Sequence, residues 1–76
     1  MNFPSRARVE SMKKRYQEGM RVELIRMEDC QAPPVGTKGM VTGVDDLGSI
    51  MVDWDNGSSL SVVLGEDLCR VVRDNE

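Results

Sequence analysis

The hydrophobic period of the chain changes at Gly19. Upstream, Val9, Met12 and Tyr16 recur at spacings of three and four, which is one face of a helix, with Arg8 and Arg15 along one side of the stripe and Lys13 along the other. Ser5 supplies an N-cap oxygen, Ala7, Glu10, Met12, Lys13, Lys14 and Arg15 are good helix formers, and Gly19 is placed to stop the run. The pattern predicts a helix over residues 5–18. Its apolar stripe is too narrow to make a core alone, so the helix is expected to dock on the element that follows.

Downstream of Gly19 the period is two. Met20, Val22 and Leu24 alternate with Arg21 and Glu23 as in a half-buried strand, until Ile25 breaks the alternation and predicts a bulge or a strand end. Residues 28–36 hold Asp29, Pro33, Pro34 and Gly36 and read as a loop, because consecutive prolines cannot donate ladder hydrogen bonds. Residues 37–44 form a second strand, with Val41 and Val44 as core candidates and Gly39 and Gly43 marking a close backbone approach, a bulge or a bend. After a turn at Asp45-Asp46-Leu47-Gly48, Ile50, Val52 and Trp54 share one face of a third strand. Asn56-Gly57 then predicts a type I′ hairpin turn, whose two central residues both need positive φ. Leu60, Val62 and Val63 make the returning strand, residues 64–68 a single helical turn, and residues 69–73 a last short strand.

Five short strands with a long first loop and a tight late hairpin specify a mainly β fold. The expectation is a small, closed or nearly closed, five-stranded SH3-like barrel preceded by one N-terminal α-helix. Residues 1–76 make one domain on this reading, with the 5–18 helix docked on a 19–73 barrel and a loose tail at 74–76. A chain of 76 residues buries a modest fraction of its surface and leaves little room for a deep catalytic cleft. Hydrophobic residues at 39% and charged residues at 30% suit a folded chain better than a disordered one. No apolar run approaches the roughly 20 residues that span a bilayer. No secretory signal is readable either, so the expected location is the cytoplasm, with no membrane partner.

Catalytic chemistry finds little support. The chain has no histidine, so a thiolate at Cys30 or Cys69 lacks its usual base, and no serine sits in a nucleophile elbow. Without histidine or a CxxC spacing there is no zinc set, and both cysteines are read as reduced thiols. Asp53, Asp55 and Asn56 resemble the start of a calcium loop, but counted from Asp53 the glycine falls one position early and Leu64 stands where glutamate is needed. The segment Gly36-Thr37-Lys38-Gly39 lacks the spacing and the following helix of a phosphate-binding loop. The expectation is therefore no enzyme, no metal and no cofactor.

Three strings together, Gly19-Met20-Arg21-Val22-Glu23-Leu24, Ala32-Pro33-Pro34-Val35-Gly36-Thr37-Lys38-Gly39 and Val52-Asp53-Trp54-Asp55-Asn56-Gly57-Ser58, resemble a family of small bacterial and phage proteins known only as a domain of unknown function. That resemblance implies the fold and a setting on mobile elements, and it implies no activity. Gly36-Thr37-Lys38-Gly39-Met40-Val41 is similar to the glycine-containing strand pair of KOW domains, which implies contact with RNA or the ribosome. Gly19-Met20-Arg21-Val22 with Trp54-Asp55-Asn56-Gly57, Gly65 and Asp67-Leu68 is similar to the Mib/Herc2 domain, which implies peptide binding. Shared barrel geometry alone could produce both short matches, and a fold does not carry a function with it.

Charge adds an asymmetry to this picture. Residues 1–26 hold seven basic and three acidic side chains and residues 27–76 three and ten, so a +4 segment precedes a −7 segment. A basic arm for nucleic acid and a basic helix lying on its own acidic body both fit that split. The leading expectation is a non-catalytic protein-binding module. Pro33 and Pro34 in the 28–35 loop would wall a groove, and Trp54 would either floor it or continue the Ile50 and Val52 face into the core. A second expectation is nucleic-acid binding through Arg6, Arg8, Lys13, Lys14 and Arg15. A third is a small structural or inhibitory subunit with an acidic surface that includes Asp45, Asp46, Asp53 and Asp55, and it requires those aspartates to cluster.

Overall fold

The computed structural model describes residues 5–63 and 65–73. Helix α1 spans Arg6–Arg15, and four strands follow: β1 Arg21–Arg26, β2 Lys38–Val44, β3 Ile50–Trp54 and β4 Leu68–Val71. The strands make one antiparallel sheet in the order β3-β2-β1-β4.

Ser5 caps α1 as its sequence position implies, its hydroxyl accepting from the Arg8 N–H at 3.2 Å. The helix stops short of the predicted end because Tyr16 leaves helical dihedrals (φ −117°, ψ 81°) and buries its ring, while its N–H still donates to the Met12 carbonyl. Met12 and Tyr16 join the core, so the narrow stripe does dock on the sheet. The Gly19 N–H donates to the Val41 carbonyl and the Val41 N–H to the Met20 carbonyl, each at 2.8 Å, which ties the helix exit to β2.

Val22, Leu24, Val41, Ile50, Trp54 and Val62 are the largest fully buried side chains, and they come from the apolar positions of the alternating pattern. Ile25 breaks that pattern where the β1–β4 register shifts, between Leu24 and Arg26. A second shift lies between Val41 and Gly43 in the β2–β3 pair and turns Val44 inward.

Two expectations need correction. The returning strand at residues 60–63 is an isolated bridge in which Ile50 and Val62 exchange both backbone hydrogen bonds, at 2.9 and 2.8 Å. Between that bridge and the turn, the Trp54 N–H reaches the Ser58 carbonyl at 2.9 Å and the Leu60 carbonyl accepts the Trp54 indole N–H at 2.8 Å, so the segment follows β3 without a continuous ladder. The described residues therefore form four strands in an open sheet, with β3 and β4 at its edges, and not a closed five-stranded barrel. The hairpin turn also differs. Gly57 has φ 93°, but no described non-glycine residue has positive φ, so Asn56 is not left-handed and the turn is not type I′. A left-handed glycine closing a longer loop takes its place, with the Gly57 N–H donating to the Trp54 carbonyl at 2.9 Å.

Of the predicted helical turn at 64–68, Leu64 lies outside the described residues. On either side of it the Val63 carbonyl accepts from the Glu66 and Asp67 N–H groups at 3.0 and 2.7 Å. No helix of the described residues is long and apolar enough to cross a membrane.

Gly39 faces Trp54 across the β2–β3 pair, and a Cβ there would stand 2.6 Å from Val52 Cγ1 and 2.9 Å from both the Asp53 carbonyl oxygen and Trp54 Cε3. At Gly43 the nearest atom is Met51 Cε at 3.1 Å, the end of a flexible side chain. Gly39→Ala should therefore lower unfolding free energy by about 1–3 kcal/mol, and Gly43→Ala by clearly less. Urea melts of the two variants check this, and equal losses would contradict the packing described.

Candidate functional site

Trp54 is 2% exposed and its indole N–H is already bonded, so it is a core residue and not the floor of a groove. The loop between β1 and β2 is folded back on the sheet. The Gly36 N–H donates to the Leu24 carbonyl and the Leu24 N–H to the Thr37 carbonyl, both at 2.8 Å. Pro33 is buried beneath this loop and Pro34 is exposed, with the Pro34 carbonyl accepting from the Thr37 N–H and hydroxyl at 3.0 and 2.6 Å. Asp29 caps the loop's first turn by accepting from the Gln31 N–H. Pro34 alone of the two is thus available to a partner.

The same loop does wall a groove, though against a different neighbour. A hollow of about 390 Å³ is lined by Arg26 and Glu28 on one side and by Gly65, Glu66 and Asp67 on the other. Arg26 reaches Glu28 at 3.3 Å. Asp67 accepts from the Val63 N–H at 2.9 Å, which holds the second wall in its turn. These two segments and the strand end beside them also carry Val35, Val63 and Leu68, which are 71%, 40% and 50% exposed. Sequence reasoning missed all three. For Leu68 the signal was present, because a buried Cys69 puts its strand neighbour on the opposite face.

The aspartates do not gather. Asp45 accepts from the Leu47 and Ser49 N–H groups within the β2–β3 turn, and Asp46 stands 3.9 Å from Lys13. Asp53 and Asp55 lie at the far end of β3, about 10–15 Å of strand away. Asp55 is paired through both oxygens with the Arg21 guanidinium, whose hydrogen bonds hold its carboxyl below the usual carboxylate range. Glu23 is likewise bonded to Arg70, at 2.7 and 2.8 Å. A nucleic-acid-like acidic surface has no support in this arrangement.

Helix α1 carries all five of its cations at the surface. Lys13 has Asp46 at long range, Arg15 lies 5.5 Å from the centre of the Tyr16 ring, and Arg6, Arg8 and Lys14 make no ion pair among the described residues. Met12 and Tyr16 pin the helix to the core, so those cations stand on a fixed support.

Both cysteines are free, Cys30 exposed and Cys69 buried. Burial pushes the Cys69 thiol up from 9.0 to about 11, with Arg15 pulling weakly the other way. Among the described residues no group of histidine, cysteine, aspartate or glutamate is arranged to hold a metal ion. Iodoacetamide should alkylate Cys30 readily and Cys69 only on unfolding, and equal labelling of the native chain would contradict the packing. The Cys69 thiol binds its proton more tightly in the folded chain than in the unfolded one. Its contribution to stability is therefore complete below pH 9.0 and is lost as pH rises through about 11. A pH series of melts should show that loss in the parent and not in Cys69→Ala.

Comparison with known proteins adds one match. The family model for a domain of unknown function, DUF4314, covers residues 5–72, from the N-cap of α1 to just past β4. No curated protein and no solved structure matches the chain.

Proposed function

The chain belongs to the DUF4314 domain family, and from that premise we propose that it is a non-catalytic protein-binding module whose contact surface is the groove between the β1–β2 loop and the turn before β4. The observation that carries the reading is the composition of that end of the sheet. Val35, Val63 and Leu68 are three of the five large apolar side chains exposed among the described residues, and they come from the segments that border the groove. The groove itself is lined by Arg26, Glu28, Gly65, Glu66 and Asp67, so the exposed apolar side chains stand on segments adjoining a charged hollow. Exposed apolar side chains beside polar ones are what a protein interface uses. With three acids and one arginine on its walls, the groove favours a partner segment that offers apolar side chains together with lysine or arginine.

We also read the open sheet as an SH3-like architecture. The long first loop, the tight turn after β3 and the single turn before β4 support that reading, and the Ile50–Val62 bridge marks where a further strand would lie. Carriage on a mobile element and residence in the cytoplasm remain parts of the proposal that rest on the sequence.

A photo-crosslinking amino acid at position 35 or 68 should trap one discrete protein in extracts of the native host, and Glu66→Arg should abolish the adduct. The control is position 53 on the outer face of β3, which should trap nothing specific. Equal trapping at position 53, or no adduct at 35 and 68, would overturn the assignment.

A further inference from the structure

We propose that the exposed side of α1 is a second contact surface, and that it binds the phosphate backbone of double-stranded nucleic acid without reading its sequence. Lys13, Lys14 and Arg15 in the last turn suit the negative end of the helix dipole and need no further reason. Arg6 and Arg8 do not. They occupy the first turn, which contains no acid, although partial positive charge there favours aspartate or glutamate by about 0.3–1 kcal/mol per site. Arg8 also stands three residues after the Ser5 cap, where a capping box would place glutamate or glutamine. Two cations thus sit where the helix dipole disfavours them, and neither makes an ion pair among the described residues, although Arg6 shares a hollow with Glu10, one turn on, and with Asp46.

The rest of the helix surface narrows the class of ligand. Val9, Met12 and Tyr16 are buried, and the outward positions are Arg6, Ala7, Arg8, Glu10, Ser11, Lys13, Lys14 and Arg15, with no large apolar side chain among them. A protein interface or a lipid surface would need an apolar anchor there. A phosphate backbone needs only positioned cations. Tyr16 and Trp54 are both buried, so no aromatic of the described residues is free to stack on unpaired bases, which favours duplex over single strand.

The acidic body does not cancel this surface. Glu23 and Asp55 are bonded to Arg70 and Arg21. The acids of the groove are themselves engaged in part, with Glu28 paired to Arg26 and Asp67 accepting from the Val63 N–H.

The test is fluorescence anisotropy of the full chain with labelled 20-base-pair DNA and RNA duplexes across a salt series. Binding to either duplex should weaken with salt, and Arg6→Glu/Arg8→Glu should make the log–log slope shallower by about 1.8, or 0.9 per lost phosphate contact. Glutamate at position 8 completes the capping box, while at position 6 its gain from the helix dipole is offset by Glu10 one turn on, so the same variant should keep its melting temperature and binding and stability move apart. The proposal is overturned by any of three results: no salt-dependent binding to either duplex, unchanged affinity of the double variant, or stronger competition by polyglutamate or single-stranded oligonucleotide than by duplex.

Discussion

The contact between Gly39 and Trp54 is the constraint on which the rest of the structure depends. A 76-residue chain with one tryptophan has few ways to fill a core, and here the indole does it at 2% exposure. It fits because β2 offers no side chain at the position directly across from it. The polar end of the same ring then holds the Leu60 carbonyl, which ties the chain after β3 to the core. One side chain thus links the core to the path of the segment that follows β3.

It also decides where binding can occur. With Trp54 inside and Pro33 covered, the groove that would have joined them does not exist. What remains on the surface falls into two regions. One comprises the β1–β2 loop and the turn before β4, with the acids of the groove and three exposed apolar side chains on the same segments. The other is α1 with its cations, held to the core by Met12 and Tyr16. The outer face of the sheet between them is laced by the Arg21–Asp55 and Glu23–Arg70 pairs, exposed or half-exposed interactions that contribute little to stability.

The elements were legible where one local rule governed them. Ser5 and the Val9, Met12, Tyr16 spacing located the helix, and Ile25 and Gly43 marked the two register shifts. Period two placed Val22, Leu24, Ile50 and Val52 inside and left Trp54 open between core and groove, which the structure resolves as core. What sequence alone missed depended on contacts between distant groups. The path of residues 59–61 beside β3 involves a bond from the Trp54 indole to the Leu60 carbonyl, and no pattern of apolar positions encodes that. The candidate site was legible only in half, because the loop wall has a composition of its own. The wall made by residues 65–67 and the exposure of Val35, Val63 and Leu68 follow from how two loops meet.

The central claim is that Trp54 holds the core and that partners engage the ends of the sheet. Since it is the only tryptophan, its fluorescence reports on that claim without a label. A buried Trp54 should give a blue-shifted emission that acrylamide quenches poorly, unchanged when a captured partner or a duplex is bound. A red-shifted emission that is readily quenched in the free chain, and protected on binding, would place Trp54 in the contact surface and contradict it.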